Sequence, residues 1–429
     1  MQAIIDKISQ QVDSAELFKI NYQAIPVSYE MNQLKSIDVE SGEGWALRII
    51  NQGKIGFSSC TGQDQLEKMI EKSIEISEFG QRALFDFPGK INSTLPLKSK
   101  LFDPSIERLT VEEMIETGQD IIQKVHAIHP ELRCDVDLAK QETFVQYWNS
   151  NNLHFDYKKS MFTQAIMVQR TLENDMMMIH ESQAWGKHNL NIDTLLTQLE
   201  KKYNWADRIV EVPTGNLPVI FTPKAVLVLL LPLIRGLNSR MVNKKISPLQ
   251  DKVDHNLWSP LLILLSDGLI DFAAGSAPYD DEGVPMARFP LIEKGVLKSY
   301  YYDLQNAAEA GERSTGNGIR SGYNSSPSPG ISNLIIQEGK TSLEDMIKYI
   351  KEGIIVDQVL GLGQGNVLSG SFSNNVQLGF KIKDGKVVGR IKNVMIAGNA
   401  IQLLKDIGAV GNQDRWIPGQ YQFQTIYIK

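Results

Sequence analysis

The sequence predicts an α+β protein in which two α+β units precede a mostly β C-terminal domain, and three observations predict it. Apolar and polar residues alternate in several stretches, amphipathic segments with helix-start signals stand between them, and glycines punctuate short strand-like runs through the second half. At 429 residues the chain also exceeds the roughly 250–300 residues at which a single core stops growing.

In chain order, Ile4, Ile8 and Val12 give the first helix one apolar face. Val27, Tyr29 and Met31 then alternate with polar residues, as do Trp45, Leu47 and Ile49, and "NQGK" at 51–54 supplies a glycine turn before Ile55 and Phe57. A hairpin is expected there. Thr61 and Asp64 read as a capping-box-like start for a helix whose face is Leu66, Met69, Ile70 and Ile74. These elements form an N-terminal domain, 1–80, and the proline-marked stretch 81–109 reads as a linker.

The central unit, 110–214, opens with the capping box Thr110 and Glu113, continues through Met114, Ile121 and Val125, and stops before Pro130. Alternation at Leu132, Cys134, Val136 and Leu138, and again at Thr143, Val145 and Tyr147, predicts a strand meander followed by a helix near Asp193–Tyr203. Prolines and a glycine in "VPTGNLPVIF" mark the start of the C-terminal domain, 215–429. Within it "PVIF" reads as a strand, and Thr222 with Pro223 as N-cap and first residue of an apolar helix.

Composition excludes several classes. The 42% hydrophobic and 22% charged residues are those of an ordinary globular chain. A net charge of −6 with scattered basic residues offers no footprint for nucleic acid. The longest apolar run, "AVLVLLLPLI", is about half a membrane span, so no membrane partner is expected. Two distant cysteines form neither a disulfide framework nor a CxxC pair, and a cytoplasmic location is expected.

Motifs for chemistry are sparse. None of the six histidines sits in HExxH, and in "HESQAWGKH" the second histidine comes too late to share a helical face. "GLGQGN" at 361–366 follows a helix-like segment and leads into strand pattern, the reverse of a dinucleotide fingerprint. There is no GxSxG elbow, so the catalytic residues are unassigned. In "YDDEG", Asp280, Asp281 and Glu282 would point to alternating faces of a strand, and a turn ending at Gly283 is the simpler reading. A hard-cation or acid–base site is the other reading. Ser314, Thr315, Gly316 and Asn317 suit either a surface loop or a backbone-rich peptide edge.

Together, "YDDEGVPMARFPLIEKGVLKSYYYDLQNA", "STGNG", "GKTSLEDMIKYIKEGIIV", "LSGSFSNNVQLGFKIKDGKVVGRIKNVMIAGNAIQLLKDIGAVGNQD", "GWALRIINQGKIGFSS" and "YWNSNN" resemble the TldD/PmbA family, also called TldD/TldE, over nearly the whole chain. The resemblance implies a cytoplasmic α+β member of a family of zinc-dependent peptidases that act on small or unfolded peptides, also described as modulators of DNA gyrase. Such chains commonly work as pairs around an enclosed cavity. TldD-type members carry HExxxH on the helix after the "PVIF-T-P" strand, but here that helix reads "KAVLVLLLPLIRGLNSR", and no cysteine follows Cys134. The chain therefore resembles the PmbA (TldE) type. No metal or other cofactor is expected in this chain, zinc is expected in a TldD-type partner, the small residues Ser314–Gly318 with Ser369, Gly370, Ser371 and Ser373 are expected to meet peptide backbone, and Asp280, Asp281, Glu282 and Gly283 are further peptide-binding or cavity candidates. A self-associating peptide-binding or scaffold protein, and an independent hydrolase using residues 280–282, are the alternatives.

Overall fold

The computed structural model describes residues 2–89, 99–172, 175–188, 192–413, 415–417 and 419–429. Part of the 81–109 segment therefore lies outside the described residues, as does Asp414.

The amphipathic N-terminus forms α1 (Gln2–Ile8), whose Ile5 and Ile8 are buried. Strands β1 (Ser14–Glu30), β2 (Gln33–Ile37), β3 (Glu40–Asn51) and β4 (Lys54–Cys60) follow, the last two joined by the expected turn with Gly53 at φ 72°. Helix α2 (Leu66–Ser77) buries Leu66 and Met69. Its start differs from expectation: a 3-10 turn at Gln63–Gln65 leads into it and no side chain caps it. After the short α3 (Pro104–Arg108), α4 (Val111–Ile128) has the full capping box, with Thr110 Oγ1 accepting from Glu113 N at 3.1 Å and Glu113 Oε2 from Thr110 N at 2.8 Å. Strands β5 (Arg133–Asn149), β6 (His154–Leu172) and β7 (Asp175–Trp185) form the meander, and α5 (Ile192–Trp205) closes this half.

The N-terminal and central units share one sheet, ordered β4-β3-β1-β5-β6-β7 with β2 beside β1. The long β1 pairs with β3 on one side and β5 on the other, bridging the stretch read as a linker. Alternation decides what each face meets. Ala15, Leu17, Trp45, Leu47 and Ile49 pack with α1 and α2, whereas Glu16, Phe18, Ala46, Arg48 and Tyr147 stand on the opposite side. Both faces are covered at this end of the sheet.

The C-terminal half holds two mixed sheets. One contains Leu264–Asp267, Arg288–Glu293, Leu334–Ile336 and Tyr421–Phe423. The other contains β8 (Val219–Phe221), Glu352–Val359, Ser371–Lys383 and Ile426–Ile428. The loop 361–366 follows the strand Glu352–Val359 rather than a helix. Helix α6 (Leu227–Gly236) is apolar except for the exposed Arg235 in its last turn, buries Val228, Leu229, Leu230 and Leu233, and accommodates Pro232. It begins after a turn at 223–226, and the Thr222 hydroxyl faces the Asp357 carbonyl at 3.4 Å instead of capping it. Among the described residues no helix is long and apolar enough to cross a membrane.

Candidate functional site

The three adjacent acids sit in a turn. Asp280 N donates to Val284 O at 2.8 Å, Gly283 N to Asp280 O at 3.1 Å, and Gly283 takes φ 82° with no room for a Cβ against Leu153 and Tyr147. The Asp280 carboxylate accepts from the amides of Glu282, Val284 and Gly318 at 3.0, 2.9 and 2.8 Å. Asp281 accepts from Arg320 N at 2.7 Å, and its own amide donates to Gly318 O. A side chain at 318 would strike the Glu282 carboxylate, so glycine is required there.

These bonds bring 280–283 together with 314–317. Ser314 and Thr315 hydroxyls donate to Tyr302 O at 3.2 Å, Asn317 Nδ2 donates to Gly330 O at 2.8 Å, and Gly316 backs onto Pro285 and Met286. Gly318–Ile319 is already paired with Ser328–Pro329. This segment is thus tied into the chain's interior.

Behind the turn lies an ionic network that the sequence did not reveal. Glu16 Oε1 stands 2.8 Å from both Arg48 Nε and Arg320 Nη2, and Glu16 Oε2 accepts from Arg48 Nη2 at 3.0 Å and Tyr147 Oη at 2.9 Å. Arg48 Nη1 also reaches Glu282 Oε1 at 2.7 Å, while Glu282 Oε2 accepts from Leu304 N at 2.7 Å. Glu16 and Glu282 are fully buried. Burial pushes the Glu282 carboxyl up to about 7 against the pull of Arg48, and burial followed by the nearby Glu282 charge raises Asp280 well above the usual range. The network joins β1, β3 and β5 to the C-terminal half. One signal was available: Arg48 interrupts the apolar run "WALRII".

Ser369, Ser371 and Ser373 stand elsewhere, lining a cleft of ≈ 330 Å³ against Val228, Leu231 and Pro232 of α6, with the glycine loop 361–365 as another wall. Gly370, at φ 76°, turns the chain into this strand beside Asn399 and Ile401. Ser371–Asn375 pairs with Met395–Asn399 on one side, while pairing with Glu352–Val359 begins only at Val376. A short stretch of strand edge therefore faces the cleft.

The zinc implied by the resemblance does not fit these residues. The α6 wall of the cleft is aliphatic, Cys60 and Cys134 are buried on other elements, and among the described residues no group of three or more His, Cys, Asp or Glu could hold a metal ion.

Comparison with known proteins agrees with this architecture. Residues 214–429 match the PmbA/TldA metallopeptidase C-terminal domain, and residues 15–77 match PmbA/TldA metallopeptidase domain 1. An uncharacterized protein of Methanocaldococcus jannaschii is 27% identical over 396 residues, covering 91% of this chain and 89% of that protein. A metalloprotease TldD homolog of Buchnera aphidicola is 35% identical over 203 residues, 47% of this chain and 42% of that one. In fold, the chain superimposes on TldE from Thermococcus kodakarensis with a TM-score of 0.87 at 23% identity, covering 100% of this chain and 98% of that one. A Thermotoga maritima protein described as a candidate modulator of a DNA gyrase gives 0.89 at 19% identity with the same coverage.

Proposed function

This chain belongs to the PmbA/TldD metallopeptidase family, and from that premise we propose that it is a TldE-type subunit without a metal of its own, paired in the cytoplasm with a metal-bearing TldD-type chain. Their joint task is the cleavage of small or unfolded peptides. The observation that carries this reading is α6: the helix that bears the ligands in TldD-type chains is here aliphatic and packed into the core, while a cleft persists along it.

In the proposed role, that cleft receives extended peptide. The strand edge at Ser371–Ser373 offers backbone groups beyond the Ser371 N–H, which the Ser369 hydroxyl already takes, the Ser371 hydroxyl adds a polar partner, and the glycine loop permits close approach. Such recognition depends on main chain more than side chains, so it suits unfolded substrates and excludes compact proteins. Residues 280–283 and 314–317 serve as the internal brace that holds the two halves together, and their mutual hydrogen bonds speak against an independent acid-catalysed hydrolase.

The test is to co-express this chain with a TldD-type paralogue, purify through a tag on this chain, and measure subunit ratio by native mass spectrometry and zinc by elemental analysis. A mixed complex with zinc in proportion to the partner, and no stoichiometric zinc in this chain purified alone, is expected. One tightly held zinc per isolated chain, or assembly only with itself, would overturn the assignment.

A further inference from the structure

A second cavity, of ≈ 390 Å³, opens between β7, α5 and the segments 411–413 and 415–416, and shares no lining residue with the cleft along α6. Its floor is charged. Lys202 Nζ donates to Glu181 Oε1 and Asp357 Oδ1, both at 2.6 Å, and Lys224 Nζ lies 3.1 Å from Glu181 Oε1 and 3.1 Å from Asp357 Oδ2. The Arg415 guanidinium reaches Glu181 Oε2 from the cavity side. All but Arg415 are nearly or wholly removed from solvent.

The charges do not balance. Burial opposes ionisation of both acids, but the ammonium groups of Lys202 and Lys224 outweigh it, holding Glu181 at about 2 and Asp357 well below the usual range. Both are therefore anionic at neutral pH. His180, lowered by burial and by Lys224, adds no charge. Among the described residues three basic groups, with Lys224 lowered by burial, face two carboxylates, an excess of one positive charge in a site where water is scarce.

The walls above this floor are aromatic. The rings of Trp185 and Trp416 meet at 4.8 Å between centroids, and Trp205 stands edge-on to Phe380 at 5.2 Å. Exposed Thr194, Asn412 and Gln413 form the rim, so the cavity has a way in. Its volume falls in the range, about 300–1,000 Å³, that holds small ligands.

We propose that this cavity is a binding site for a carboxylate carried on an aromatic body, with Arg415 taking the carboxylate and Trp185 and Trp416 flanking the ring. A single residual positive charge matches a monoanion, whereas a phosphate dianion would leave one negative charge in excess. A guanidinium is the side chain best shaped to grip a carboxylate, and indoles favour offset or edge-on contact with a second ring. Two sources share this chemistry: a free aromatic acid, and the C-terminal aromatic residue of a peptide.

The test is calorimetric titration of the whole chain with 3-phenylpropionate, with acetyl-Gly-Gly-Phe, and with the C-terminal amide of each, tryptophan quenching serving as a second signal. Each acid is expected to bind at least about tenfold more tightly than its amide, the contribution of a charge-assisted hydrogen bond. The tighter of the two acids identifies the source. Arg415→Gln, which leaves the floor electrically neutral, should erase the preference for acid while leaving amide binding in place. Trp416→Leu should weaken acid and amide alike. Equal affinity for acid and amide, no binding of either acid at millimolar concentration, or an unchanged acid preference in Arg415→Gln would overturn the proposal.

Discussion

Replacing Glu16 with Gln tests the joint between the first sheet and the C-terminal half. The Glu16 carboxylate, fully buried, accepts from Arg48 Nη2, Arg320 and Tyr147, and stands 2.8 Å from Arg48 Nε as an ion contact. Glutamine keeps the shape but turns one oxygen into a donor, so the bonds that oxygen accepted are lost and a donor faces donors. It also removes half the negative charge opposite two buried guanidinium groups, leaving the Glu282 contact of Arg48 as the remaining side-chain ion pair. Breaking a buried pair from one side costs about 3–5 kcal/mol, and the loss should fall in that range. Urea unfolding followed by tryptophan fluorescence measures it, since Trp45 and Trp148 lie on the strands beside Glu16. Lys7→Gln, which removes the exposed pair with Glu67, is the control and should be indistinguishable from wild type. A Glu16→Gln variant within about 1 kcal/mol of wild type, the range of surface pairs, would refute the reasoning.

Three further outcomes are expected. Asp280→Asn should cost about 1–3 kcal/mol, because an amide now faces the Gly318 N–H; the complex should stay active, and a hundredfold loss of activity in a stably folded variant would make that acid functional. The Glu282 carboxyl, at about 7 when folded and about 4.3 when unfolded, binds its proton more tightly in the folded chain. Its contribution to stability is full below the unfolded value and is lost as pH rises through 7. Relative to wild type, Glu282→Gln should gain stability between pH 5 and 8 in urea midpoints, and a constant gap contradicts this. Leu231→Trp should fill the cleft along α6 and lower peptide cleavage by the reconstituted complex at least about tenfold, the scale on which excluding substrate contacts acts, with an unchanged circular dichroism spectrum; full activity would place the peptide elsewhere.

Local patterns were legible because local physics sets them. Thr110 and Glu113 announced α4, "NQGK" announced the hairpin, and alternation announced the long strands. Thr61 with Asp64 and Thr222 with Pro223 had the right residue types, yet a 3-10 turn and a turn at 223–226 took the positions that capping would have needed. What the pattern could not supply was register across distance. Glu16 and Arg48 are direct cross-strand partners, but Arg320 and Glu282 reach them from far along the chain. The same holds for the floor beneath Arg415, assembled from β7, α5, the start of the α6 segment and the strand Glu352–Val359. The acidic turn was readable as a turn, while its role as a brace depended on the strands behind it.

The most direct test of the central claim is a peptidase assay of this chain, of a TldD-type paralogue as the proposed partner, and of the two mixed, each with a disordered peptide and with a compact protein, in the presence and absence of chelator. The account predicts no cleavage by this chain alone, chelator-sensitive cleavage of the disordered peptide by the mixture above the partner's own level, and no attack on the compact protein. Chelator-resistant cleavage by this chain alone, or a partner whose activity is the same with and without it, would contradict the account.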